Sequence, residues 1–373
     1  MRLLFDEETI ISMAGPGIQG WGPWQFPRVF QNDNILYVEI HTGQDSARDY
    51  GKSKSWYRSH DMGKTWQRTQ EQGGVMLDDK SLINTHAPLS RDLSDVILPG
   101  RIGTRMNYGL EASLYRMDET REEYREWTVM RRSSRGAAWE IQRVVLDDRL
   151  LVLAATEGVL AGKFFHQLVR APDGAVWAPL YETLHDNGIP SAHCHAVFFK
   201  SIDNGKSFYM ESLIPYAPPY PADPLSKKRF GFTEPCLCFT GGDSVFTLLR
   251  TTDGNGIGPL YISRSRDNGQ SWSAPEIFDD RGVWPQAVHL GNGATVAGYG
   301  RPGLFIRIMH GDAWQERIAL VHPEEYQTET CSYCALQALT KDSFLAVYSK
   351  FKHRDARGIT GKAILARRIT VEV

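Results

Sequence analysis

The sequence is poor in the features that carry a chain into a membrane, onto nucleic acid or into a disulfide scaffold. Nowhere along its 373 residues do about eighteen apolar residues follow one another, the run that a helix needs to cross a bilayer. Forty-two Lys and Arg against 44 Asp and Glu leave a formal charge of −2, which gives no general attraction to nucleic acid or to an anionic membrane surface. Any anion binding must then be local. Cysteine is scarce: five residues, at 194, 236, 238, 331 and 334, are an odd set in a chain this long and fit a reducing compartment better than a stapled fold. The stretch from Met1 to Glu8 ends in three acids, where a signal peptide needs an unbroken apolar region. A cytoplasmic protein is expected, with the mature form of an exported one left open. No cofactor or metal is required by any motif.

What the chain does have is short apolar runs punctuated by signed turns. From Gly231 to Trp272, runs at 235–239 and 245–249 flank Gly241-Gly242-Asp243, a third run covers 259–263, and a fourth strand follows Asp267-Asn268-Gly269. Four such strands make one antiparallel sheet, the size of one propeller blade. Glu234 enters its first strand and Arg250 leaves its second. The closing turn, Ser265 to Trp272, recurs as Ser59 to Trp66 and Ser201 to Phe208, with Ser, Asp two later, Gly two after that, a hydroxyl and then an aromatic. The Asp can accept local backbone N–H bonds, the Gly supplies positive φ, and the aromatic pins the hairpin. Asp61, Asp203 and Asp267 therefore read as turn residues rather than catalysts. Sheet starts near 234, 284 and 331 lie 50 and 47 residues apart, and about six such sheets fit the length. The expected fold is all-β, a six-bladed β-propeller forming a single domain over 1–373, with a Pro-rich insert at about 209–230. The second sheet is drawn from Leu82 to about Arg131 and the third from Ala138 to Phe208.

The recurring turn is the Asp-box, and through it the chain resembles the sialidase (neuraminidase) superfamily. Enzymes of that superfamily hold an anionic sugar with three arginines, use a tyrosine made nucleophilic by a neighbouring glutamate, and employ an aspartate as acid/base. Glu234-Pro235 resembles the glutamate motif, Arg250 falls where the second arginine would, and Arg301 in Tyr299-Gly300-Arg301-Pro302-Gly303 resembles the third. Tyr333, in Cys331-Ser332-Tyr333-Cys334, resembles the tyrosine. A phenol with an ordinary pKa of about 10 needs a carboxylate to take its proton before it attacks at neutral pH. The family's first arginine stands two residues before a proline; here that slot, before Pro27, is Gln25. Arg28 lies three positions on and faces the other way unless a bulge intervenes. Asp49 sits roughly where the acid/base belongs.

Other clusters stay open. His193 and His195 would share one face of a strand, as a metal or proton-transfer pair or as structural or substrate contacts. Cys236 and Cys238 would share a face too, more in the manner of core packing. The Pro-rich insert closely precedes Glu234, as a lid or as a plain linker. Three function classes follow. The first is an exo-acting glycoside hydrolase on an acidic, carboxylate-bearing sugar, using Tyr333, Glu234 and Asp49. The second is a lyase on uronic-acid polysaccharide, in which tyrosine or His193 and His195 move protons. The third is a catalytically silent sugar-binding propeller. In each the partner is a carbohydrate, held by Arg28, Arg250 and Arg301.

Overall fold

The computed structural model describes residues 1–373 apart from 19, 47, 48, 50, 87–89, 94–97, 108–109, 135, 161–164, 253–256, 312 and 324–332. Strands dominate, and among the described residues there is no α-helix, only three short 3₁₀ turns. The chain divides into two compact units: residues 1–45, 53–74 and 281–373, and residues 46–52 with 75–280. Each has its own cores.

The first unit holds three antiparallel sheets. One runs Gln25–Asn32, Ile35–His41, Lys54–Ser59, Gln67–Thr69, each strand beside the next in sequence. Another pairs Val283–His289, Thr295–Gly300 and Leu304–His310, with Ala313–Trp314 and Ile318–Val321 both on the third strand. The last pairs Cys334–Ala338, Ser343–Arg354 and Thr360–Glu372. Its outer edge is completed from the other end of the chain, because Arg2–Phe5 and Thr9–Met13 both pair with Thr360–Glu372. The apolar faces of these sheets bury Leu36, Val38, Ile40, Leu345, Val347 and Ile364 in one cluster. A second cluster holds Val296, Ile306, Phe344, Tyr348 and Leu365.

The second unit contains the expected four-stranded sheet Phe232–Gly241, Ser244–Thr251, Leu260–Ser265, Glu276–Asp279. Beside it in sequence lies an eight-stranded sheet made of two four-stranded halves. Val169–Arg170, Val176–Glu182, His195–Ser201 and Ser207–Ile214 form one half; Glu140–Leu146, Trp127–Arg132, Leu82–Thr85 and Val75–Met76 form the other. They join through a parallel pairing of Val145 with Ser207 and Leu146 with Phe208. The sheets drawn from sequence at 82–131 and 138–208 are therefore corrected. Glu140–Leu146 belongs with the earlier half, while Leu110–Arg116 and Val152–Thr156 lie in a separate five-stranded sheet with Arg101–Asn107, Val159–Leu160 and Arg91–Asp92. Local alternation reveals strands but not which neighbour a strand chooses.

The three recurring turns each join the third and fourth strands of their sheet. Asp203 accepts hydrogen bonds from the Lys206 and Ser207 backbone N–H groups, both at 3.0 Å, and from the Ser201 and Ser207 hydroxyls. Asp61 and Asp267 repeat the arrangement. Despite the opposing effect of burial, hydrogen bonds from Thr65 and Ser59 hold the Asp61 carboxyl at about 2, and those from Ser207 and Ser201 hold Asp203 at about 2. The Asp267 carboxyl is held at about 2 chiefly by Ser265 and Ser271. These are turn residues.

Candidate functional site

Three sheets have first strands that open with the same irregularity, a residue at positive φ followed by proline. Phe26 precedes Pro27 at φ 51°, Glu234 precedes Pro235 at φ 46°, and Trp284 precedes Pro285 at φ 49°. In each, three steps along the first strand match two on its partner: Gln25 to Arg28 against His41 to Glu39, Thr233 to Cys236 against Arg250 to Leu248, and Val283 to Gln286 against Gly300 to Gly298. That is one extra residue, a β-bulge, placed where proline has no N–H to give the ladder. A non-glycine residue at positive φ costs on the order of 1–2 kcal/mol, so three such residues in one setting point to a use for the side chains they re-aim.

The bulge decides how Arg28 faces. Gln25 and Arg28 sit opposite His41 and Glu39, which are two apart and share a face, so Arg28 shares the face of Gln25. There Arg28 stands 3.5 Å from the Glu39 carboxylate and Lys54 stands 3.0 Å from it. Burial would raise Glu39, but Lys54 and Arg28 outweigh it and hold the carboxyl low. Burial, then Lys54, push His41 down to about 4. Gln25 is fully buried, its Oε1 accepting from the Gly22 backbone and its Nε2 without a partner.

Tyr333 lies one residue before Cys334–Ala338, only 4% exposed. Its hydroxyl accepts a 2.8 Å hydrogen bond from Arg301 Nη2. Rings close around it: Phe26 at 4.3 Å, Trp284 at 5.7 Å and Trp21 at 6.0 Å between centroids. Two of the three bulge residues thus pack against this tyrosine. The Arg301 guanidinium lies over Trp21 at 4.5 Å, sharing its charge with a π face. Trp21 is held by its loop, in which Gly22 adopts φ 111° with Asp45 N only 2.2 Å from where a Cβ would stand. Buried Lys362 donates to the carbonyls of Gly20 and Pro23.

In the second unit the third bulge residue, Glu234, meets Arg250 Nη1 at 2.5 Å, with side chains 16% and 10% exposed. Gly231, three residues earlier, has φ 125° and Cys194 O 2.3 Å from its would-be Cβ, which locks the approach to this strand. Asp49 is half exposed, taking hydrogen bonds from Ser46 and an ion pair from Lys52.

His193 and His195 do not form the strand pair drawn from sequence. The strand starts at His195, and His193 lies in the bend before it. His193 Nδ1 is 3.0 Å from Arg229 O, and His195 Nδ1 accepts from Tyr216 N at 3.0 Å. Both fasten the Pro-rich segment, and burial pushes His195 down to about 4. Among the described residues no three His, Cys, Asp or Glu are placed to hold a metal. Ser207–Ile214 continues as strand into the region drawn as insert. Beyond it the insert is ordered by a buried Asp223–Arg229 pair, 3.1 Å on both oxygens, and by Tyr216 and Tyr220 against Phe232. Cys194, Cys236, Cys238 and Cys334 are buried, while Cys331 lies outside the described residues.

Lys362 escapes the sequence reading, and the bulge enters it only as a condition on Arg28, not as a feature of three strands. Its signal was available: Phe26-Pro27, Glu234-Pro235 and Trp284-Pro285 all follow turns and open apolar strands.

No family model and no curated protein matches the sequence. Solved structures do match. A protein of unknown function from Dyadobacter fermentans superposes with a TM-score of 0.66 at 14% identity, over 99% of both chains. A variant of the NanB sialidase from Streptococcus pneumoniae gives 0.52 at 11% identity, over 97% of this chain and 70% of that one. The fold is sialidase-like. Trypanosoma rangeli sialidase, solved with 2,3-difluorosialic acid as a covalent intermediate, gives 0.52 at 10% identity over 93% of this chain, which spans about half, 54%, of its length. Identities this low carry the sialidase-like fold and nothing finer.

Proposed function

We propose that the protein is a sialidase-like exo-glycoside hydrolase acting on a carboxylate-bearing sugar at the mouth of a six-bladed propeller. The observation that carries this reading is the Arg301–Tyr333 hydrogen bond at 2.8 Å, a tyrosine hydroxyl held in place by a cation just before the strand Cys334–Ala338. In this reading Tyr333 attacks the anomeric carbon, Glu234 takes the phenolic proton, and Asp49 protonates the leaving oxygen and then activates water. Arg301, Arg250 and Arg28 provide the positive charge for the sugar carboxylate. His193 and His195 contribute through the segment that they fasten.

A second reading, sugar binding without catalysis, is favoured by the low exposure of Tyr333 and by Arg250 being already paired with Glu234. A side-by-side screen separates them. Acidic and neutral aryl glycosides report hydrolysis, ultraviolet absorbance of an unsaturated product reports a uronic-acid lyase, and calorimetry reports binding. Release of aryl alcohol from acidic glycosides alone supports the hydrolase; binding with neither product supports the silent form.

A further inference from the structure

The strand Arg101–Asn107 carries Arg105 opposite Ala112 in a hairpin of the five-stranded sheet. Its half-buried side chain reaches residues of other strands and loops in the same unit. Nη1 donates to Thr183 Oγ1 at 2.6 Å, Nη1 and Nη2 each lie 4.0 Å from Cys194 Sγ, and the guanidinium covers the Phe230 ring at 4.5 Å. Nε is buried and has no partner. No described residue gives it a carboxylate. Nearby Arg229 and Arg250 differ, each closed by an acid, Asp223 and Glu234.

The floor beneath Arg105 is rigid. Cys194 N donates to Phe230 O at 3.0 Å and Phe232 N to Cys194 O at 3.1 Å, so two of the three groups that touch the guanidinium, Cys194 and Phe230, are locked together by backbone. Thr183 and Cys194 are buried. A guanidinium is a planar fork of five donors, suited to two parallel bonds to an oxyanion. Here one neutral hydroxyl and a weakly accepting thiol are its polar partners, and withdrawing such a cation from water without a counter-charge is unfavourable.

We propose that Arg105, with Thr183 beside it, is an oxyanion subsite that takes a carboxylate or sulfate group of a sugar. It is separate from the Glu234–Arg250 pair and holds whether or not the protein hydrolyses a glycoside. Phe230, the ring under the guanidinium, lies two residues before the strand Phe232–Gly241, which carries Glu234.

The test is calorimetric titration of the full chain with glucuronate, galactose 6-sulfate and galactose, on wild type, Arg105→Met and Arg105→Lys, with thermal melting of each variant alone. Arg105→Met keeps the stem and removes the charge. The expected result is a loss of at least about tenfold in affinity for an acidic sugar, with galactose unchanged. Arg105→Lys, which keeps the charge but loses the fork, is expected to fall between, and it decides the matter if the methionine variant does not fold. A preference for glucuronate or for the sulfated sugar identifies which group the site takes. Absence of acidic-sugar binding in wild type, equal losses for acidic and neutral sugars, or unchanged affinity in a folded variant would each overturn the proposal.

Discussion

Arg301 Nη2 donates to Tyr333 Oη at 2.8 Å while its guanidinium lies 4.5 Å over Trp21, so one cation links the tyrosine hydroxyl to the loop that covers it. Tyr333→Phe keeps the ring against Phe26, Trp284 and Trp21 and deletes only the hydroxyl. Under the proposed hydrolase it is expected to melt with wild type and to lose kcat/KM at least about a hundredfold on the substrate that the screen identifies. Near-normal turnover in that variant removes Tyr333 from the chemistry.

Glu234 is expected to be sensitive in two separable ways. Glu234→Gln keeps the shape but leaves the Arg250 guanidinium, 8% exposed, without its counter-charge, at a cost of about 1–3 kcal/mol in denaturant unfolding. Glu234→Val adds a branched Cβ at φ 46° and is expected to cost a further ~1 kcal/mol or more than the glutamine change. Equal stability of the two variants would show that the bulge relaxes freely.

Asp203→Ala provides the opposite profile. It removes an acceptor for two backbone N–H groups and two hydroxyls, so a loss of about 1–3 kcal/mol of stability is expected. Catalysis measured well below its melting temperature should stay within about twofold of wild type, because Asp203 serves a turn and touches no reacting group. A loss of activity without a loss of stability would assign the turn a direct role.

Stability is expected to fall as pH drops from about 6.5 to about 4. His195 and His41 each have a folded-state pKa of about 4 against 6.5 for an ordinary imidazole, so in that window the unfolded chain binds protons that the folded chain refuses. Stability then rises with pH through the window and is fully restored above it. The window closes from below with the three turn aspartates, whose contribution is present above their ordinary carboxyl range and is lost as pH falls toward 2. His195→Gln, which can still accept from Tyr216 N, is expected to flatten the drop between pH 6.5 and 4 in urea melts; an unchanged slope would place the proton uptake elsewhere.

The sequence by itself determined what is local. Gly and Asp at set spacings dictate the three turns through φ > 0 and short-range hydrogen bonds, and period-two apolar runs dictate strands such as Ser244–Thr251. The resemblance of Glu234-Pro235, Arg250, Arg301 and Tyr333 to the motifs of the sialidase superfamily singled out those residues as candidates. Tertiary structure decided what depends on register and partner. A single bulged residue at Phe26 turns Arg28 to the face of Gln25, and a side-chain period of two makes that slip decisive. Whether His193 and His195 meet each other or fasten Tyr216 and Arg229 depended on where the strand begins, at His195. That Arg250 is closed by Glu234 while Arg105 meets the Thr183 hydroxyl and no acid among the described residues rests on contacts 16 and 78 residues apart in sequence, and composition carries no record of such distances.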